Sequence, residues 1–156
     1  MPRGSGSKRR RMSNGSLAKE NLKIVFDTNI YISAFLKSGF SREIFHLALL
    51  GKIDLFISPD IISELQKKLK SKFEIKDYDL QLFLSSISQV AKKVHAAQKL
   101  SVVKKDPADN IILECALASK ANLIISLDRH LLSLKRYQKI GIIHPKTLVW
   151  IIPGEF

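Results

Sequence analysis

A single cysteine, Cys115, is all the thiol the chain carries. One thiol closes no intramolecular disulfide and builds no cysteine cage around a metal. No apolar run reaches the roughly 18–20 residues that a membrane-crossing helix needs. The basic opening Lys8-Arg9-Arg10-Arg11 leads into Ser13-Asn14-Gly15, not into the apolar stretch of a secretory signal. Glycine is scarce, seven residues in all, and none of them builds the Gly-rich loop of a dinucleotide or P-loop site. A Gly-x-Ser-x-Gly nucleophile elbow is missing too. These absences leave a cytoplasmic protein with no membrane segment as the expectation.

Acids are also in the minority, with 14 Asp and Glu against 26 Lys and Arg, for a net charge of +12. Arg3 and the run Lys8–Arg11 supply five of the positive charges, and setting them aside leaves 21 basic against 14 acidic residues, or +7. A basic body attracts polyanions such as nucleic acid. Residues 1–20 are rich in Gly, Ser, Arg and Lys without apolar periodicity, and read as a disordered basic tail, with Met12 as an alternative first residue. Residues 21–152 are long enough for one domain with a real core.

Within that domain the apolar pattern alternates between strand and helix. Leu22–Phe26, Asp54–Ile57, Leu123–Ser126 and Gly141–His144 read as strands, with a short one around Val94 or Val102. Ile30–Lys37 reads as a helix closed by Gly39 at its C′ position, and Ser41-Arg42-Glu43 opens another that Gly51 ends. Ser58-Pro59 is a strong helix start, a capping hydroxyl followed by proline at the first helical position. Asp77–Gln89 follows, then a helix from Asp106-Pro107 that is apolar nearly all round and therefore predicted to be central. Arg129–Lys135 is a short helix, and Pro145–Ile151 a helical or irregular end. Strands separated by helices predict an α/β domain with a central parallel sheet.

Four acids stand where strands meet helices: Asp27, Glu64, Asp109 and Asp128. In a parallel sheet the carboxyl ends of the strands share one edge, where ligands bind. Packed carboxylates resist ionising together unless a cation offsets them. Taken singly each has a plain structural use: Asp106 and Asp128 can cap helices, Asp109 can complement a helix dipole, and Glu64 can face solvent. Together, with no cysteine and with His46, His95, His130 and His144 scattered without ligand spacing, they suit Mg²⁺ or Mn²⁺ better than zinc. The end of the first strand lacks an Asp-x-Asp nucleophile motif, because position 29 is Asn.

The segments Val25-Phe26-Asp27-Thr28-Asn29, Ser63-Glu64-Leu65, Asp106-Pro107-Ala108-Asp109-Asn110 and Ile125-Ser126-Leu127-Asp128-Arg129-His130-Leu131-Leu132 occur in order, followed by Gly141-Ile142-Ile143-His144-Pro145. In these the chain resembles the PIN-domain ribonucleases over roughly residues 22–150, most of all the toxin components of prokaryotic toxin–antitoxin pairs. The resemblance implies a three-layer α/β/α domain whose Asp27, Glu64, Asp109 and Asp128 hold one or two Mg²⁺ or Mn²⁺ ions. Asn29, Asp106 and Ser126 match the polar residues that orient those acids. RNA is the implied substrate, cut to a 5′-phosphate and a 3′-hydroxyl, with an antitoxin protein and a second copy of the chain as implied partners. Lys37, Lys67, Lys68, Lys104 and Lys105 are candidates to hold the RNA backbone. Leu127 departs from the pattern, since relatives commonly carry a small residue before the last aspartate. The competing readings are a housekeeping RNA-processing nuclease and a non-catalytic module that binds RNA or protein.

Overall fold

The computed structural model describes residues 20–97, 99–100 and 107–156. Elements run β1 (Lys23–Phe26), α1 (Thr28–Leu36), α2 (Phe40–Leu49), β2 (Asp54–Ile57), α3 (Pro59–Phe73), α4 (Asp77–Val90), β3 (Lys92–Lys93), α5 (Pro107–Ser119), β4 (Leu123–Ile125), α6 (Arg129–Leu134), β5 (Arg136–Tyr137), β6 (Ile140–Ile143) and α7 (Leu148–Ile151). The strands form one sheet in the order β3-β2-β1-β4-β6-β5, parallel except for the β5–β6 pair at one edge. With helices layered on the sheet, this is the three-layer α/β/α arrangement.

The central strand shows why. Ile24, Val25 and Phe26 of β1 have no solvent exposure at all, so both faces of the strand are covered. That is how a strand in the middle of a parallel sheet reads, as a continuous apolar run. The predicted all-apolar helix is α5, which buries Ile112, Leu113, Cys115 and Ala116 and packs on β1, β2, β4 and α3. In α3, Ser58 Oγ accepts from the Ile61 amide at 3.3 Å and Pro59 takes the first turn. Ile61, Leu65 and Leu69 then point into the core at four-residue spacing. Truncating one of them to alanine is expected to cost about 2–5 kcal/mol.

Two local expectations are corrected. Gly39 does not close α1, which ends at Leu36 with Lys37 extended. It is instead the residue before α2, at φ 124° and ψ −160°, a conformation that glycine alone adopts at little cost. The chain end also holds a hairpin that no turn residue announces. Tyr137 pairs with Ile140 across Gln138-Lys139, and Gln138 takes φ 55° without being glycine. The short strand predicted near Val94 is β3, one residue earlier. Val102 and Asp106 lie outside the described residues.

The order of strands positions the site. From β1 the chain moves to one side through β2 and β3, then returns to lay β4 on the other side of β1. The direction therefore reverses between β1 and β4, and a crevice opens beyond their carboxyl ends.

Candidate metal centre at the switch point

Register brings the first two site residues together. Phe26 of β1 stands beside Ile125 of β4, and the Asp27 amide donates to the Ile125 carbonyl at 3.0 Å. One residue further on, Asp27 and Ser126 are neighbours. Ser126 Oγ donates to Asp27 Oδ2 at 2.7 Å and accepts the Asp128 amide at 2.9 Å. One buried hydroxyl thus holds Asp27 against the turn that carries Asp128. Asp128 caps α6, its Oδ1 accepting from the His130 amide at 2.6 Å.

Asp109 arrives from a third element, the first turn of α5, and is buried. Asp109, Asp128 and His130 each offer a ligand atom, and these atoms lie within 4.8 Å of one another. His130 was not expected here. Its imidazole Nδ1 stands 3.7 Å from Asp128 Oδ1 because α6 starts at Arg129 and puts His130 in its first turn. The signal in the sequence was the Asp-x-His spacing across a helix start, where the third residue can fold back toward the first.

Asp27 sits in a setting of opposed influences. Burial pushes its carboxyl pKa upward from 3.8, and the charge of Asp128 pushes the same way. The Ser126 hydroxyl, the Lys68 ammonium and the Thr28 amide pull it down without overcoming burial. Lys68 reaches in from α3, its Nζ donating to Thr28 Oγ1 at 3.0 Å, while the Thr28 hydroxyl lies 3.4 Å from Asp27 Oδ1. Lys68 is therefore turned into the site, whereas Lys67 is exposed.

Glu64 is half-buried on α3, one turn before Lys68, and lies outside the group of donors within 4.8 Å. Among the described residues its carboxylate has no hydrogen bond or ion pair. Asn29 lines a hollow of about 240 Å³ beside the acids, together with Leu36, Lys37, Phe73 and Leu127. Leu127 is 40% exposed and forms a wall of that hollow. Asp106, Lys104 and Lys105 lie outside the described residues.

The donor set suits a divalent ion. Carboxylates of Asp109 from α5 and Asp128 at the start of α6 come together with the His130 imidazole, and Asp27, outside that group of donors, is tied to the Asp128 turn through Ser126. Such a group of anions is stable when a cation compensates it. Lys68 supplies a positive charge on one side.

The comparisons with known proteins agree with this architecture. A family model described as "PIN domain" matches residues 23–130, a span that includes Asp27, Glu64, Asp109 and Asp128. The uncharacterized protein MJ1680 of Methanocaldococcus jannaschii is 32% identical over 153 residues, covering 90% of this chain and 92% of that protein. A chain of the crystal structure of VapBC2 from Rickettsia felis, bound to a DNA fragment from their promoter, superposes with a TM-score of 0.59. It is 19% identical, and the match covers 79% of this chain and 98% of that one.

Proposed function

The chain belongs to the PIN-domain family, and from that premise we propose that it is a divalent-metal-dependent endoribonuclease, the toxin of a toxin–antitoxin pair. The observation that carries this reading is that Asp109 and Asp128 lie together at the β1–β4 switch point, with Asp27 tied to the Asp128 turn through Ser126. Asp27, Asp109 and Asp128, with Glu64 as a fourth ligand from α3, are assigned to hold Mg²⁺ or Mn²⁺. An ion bound there supplies the charge that offsets the acids and the activation of water toward phosphorus.

The chain's own residues do the positioning. Ser126 fixes the Asp27 carboxylate and the turn at Asp128 with one hydroxyl. The helix cap holds Asp128 in one rotamer, so its orientation is set before any ligand arrives. Lys37, exposed at the hollow, and Lys67, exposed on α3, are assigned to hold RNA phosphates. Burial of Asp27 keeps water out of one side of the crevice, which strengthens electrostatic interactions there. In the reaction the oxygen of water bonds to phosphorus as the bond from phosphorus to the 3′ oxygen breaks, leaving a 5′-phosphate and a 3′-hydroxyl.

An antitoxin partner is supported by apolar side chains left in water. Leu36 on α1, Phe73 on α3, and Tyr78 and Leu82 on α4 are all exposed, Tyr78 by 74%. Leu36 and Phe73 line one hollow, and a contiguous exposed apolar patch of that kind suits an interaction surface. The likeness to a VapBC2 chain points the same way.

End-group analysis of the products tests the chemistry. A labelled single-stranded RNA incubated with the protein and Mg²⁺ or Mn²⁺ is expected to give 5′-phosphate and 3′-hydroxyl ends. Cyclic 2′,3′-phosphate ends, or cleavage that persists in chelator, would rule the proposed chemistry out.

A further inference from the structure

Among the described residues His130 is the one imidazole beside the acids, and it bears on which ion the centre selects. We propose that His130 is itself a metal ligand and that it makes the centre prefer Mn²⁺ over Mg²⁺, an inference that rests on the metal-dependent reading above. The His130 Nδ1 to Asp128 Oδ1 distance of 3.7 Å is too long for a hydrogen bond. It suits two donors on one ion. Donors about 2.1 Å from a metal stand about 3 Å apart at right angles and about 4.2 Å apart when opposite. One carboxylate oxygen of Asp109 completes the group within 4.8 Å.

Backbone and side chain of His130 have separate duties. The amide completes the cap on Asp128 Oδ1, which anchors the residue without using the ring. The ring is half-exposed and adjusts by rotation at little cost. Asp128 in turn keeps Oδ2 clear of any hydrogen bond from the described residues. Mg²⁺ takes oxygen donors and dehydrates reluctantly, whereas imidazole suits first-row transition ions. One imidazole in an otherwise carboxylate set therefore tilts the choice toward Mn²⁺.

The test needs no catalysis. Apo protein titrated with Mn²⁺ is followed by electron paramagnetic resonance, with Mg²⁺ as competitor, and pulsed measurements detect nitrogen bonded to the ion. Wild type is expected to show one directly coordinated imidazole nitrogen, and His130→Ala to lose it. The same substitution should weaken Mn²⁺ binding by at least about tenfold and Mg²⁺ binding much less. His130→Asp should keep the ion but bring the two affinities together. The ring is half-exposed, and a circular dichroism melt checks that both variants fold. If Mn²⁺ binds, and Asp109→Asn abolishes the binding, yet no nitrogen coupling appears and His130→Ala changes nothing, the ligand assignment fails while the metal centre stands. If wild type binds no Mn²⁺ at these acids, the metal reading fails, and the inference with it.

Discussion

Ser126 Oγ lies 2.7 Å from Asp27 Oδ2, a hydrogen bond between residues 99 positions apart. It exists because β1 and β4 are adjacent parallel strands in register, each ending one residue before its partner in the bond. The same hydroxyl accepts the Asp128 amide, so three positions of the centre share one atom. Replacing Ser126 by alanine leaves a buried carboxylate short of its best donor. The substitution is expected to cost about 1–3 kcal/mol in stability and to weaken divalent-ion binding about 10–100-fold. Denaturant unfolding and calorimetry measure the two effects; an unchanged ion affinity would remove Ser126 from the centre.

Asp27 itself is predicted to be held at a cost. Burial raises its pKa in the folded protein above the ordinary 3.8 of the unfolded chain. Between those two values the folded state keeps a proton that the unfolded state has released. Stability therefore falls as pH rises through that window, and above it the full loss persists. In chelator at pH 7, Asp27→Asn should unfold at a higher temperature than wild type, and the gap should close as the pH drops toward 3.8. Adding Mn²⁺ should reverse the ranking, since an ion at about 100 times its Kd stabilises the protein that binds it by about 2.7 kcal/mol. A variant less stable than wild type at neutral pH without metal would show that the site compensates its own charge.

Much of this was legible from local pattern. The strand Asp54–Ile57 and the start of α3 at Ser58-Pro59 were readable because a strand's apolar run and a helix cap are encoded within a few residues. The acids Asp27 and Asp128 were readable because both stand one or more residues past a strand end, and parallel sheets bring those ends together. Convergence of side chains from distant elements was harder to see. Lys68 was one of five lysines named as candidates to hold the RNA backbone, and only the placing of α3 against Thr28 shows it turned inward where Lys67 is not. His130 looked isolated because no other histidine lies near it in sequence, and its partners are carboxylates from α5 and the α6 cap. The hairpin at Gln138 escaped notice for a different reason: a non-glycine residue accepts φ 55° there, so the usual turn residues are missing.

Cys115 offers an independent check on the buried helix. It has no exposure in α5, and burial pushes its thiol pKa up to about 12. A thiol kept protonated and covered is a poor nucleophile. The native protein is expected to resist a thiol reagent at pH 8 for hours and to release one equivalent on unfolding. Prompt reaction of the folded protein would mean that α5 is not the packed central helix described above.

The central claim is that one acidic centre at the β1–β4 switch point cuts RNA with a bound divalent ion. Single-turnover cleavage of labelled RNAs by wild type, Asp27→Asn and Asp109→Asn, each with Mn²⁺, with Mg²⁺ and with chelator, tests it most directly. The expected result is cleavage by wild type only when an ion is present, with a loss of at least about 100-fold in either variant, roughly 2.7 kcal/mol of transition-state stabilisation. Equal cleavage by wild type and both variants would contradict it, placing the activity outside this centre.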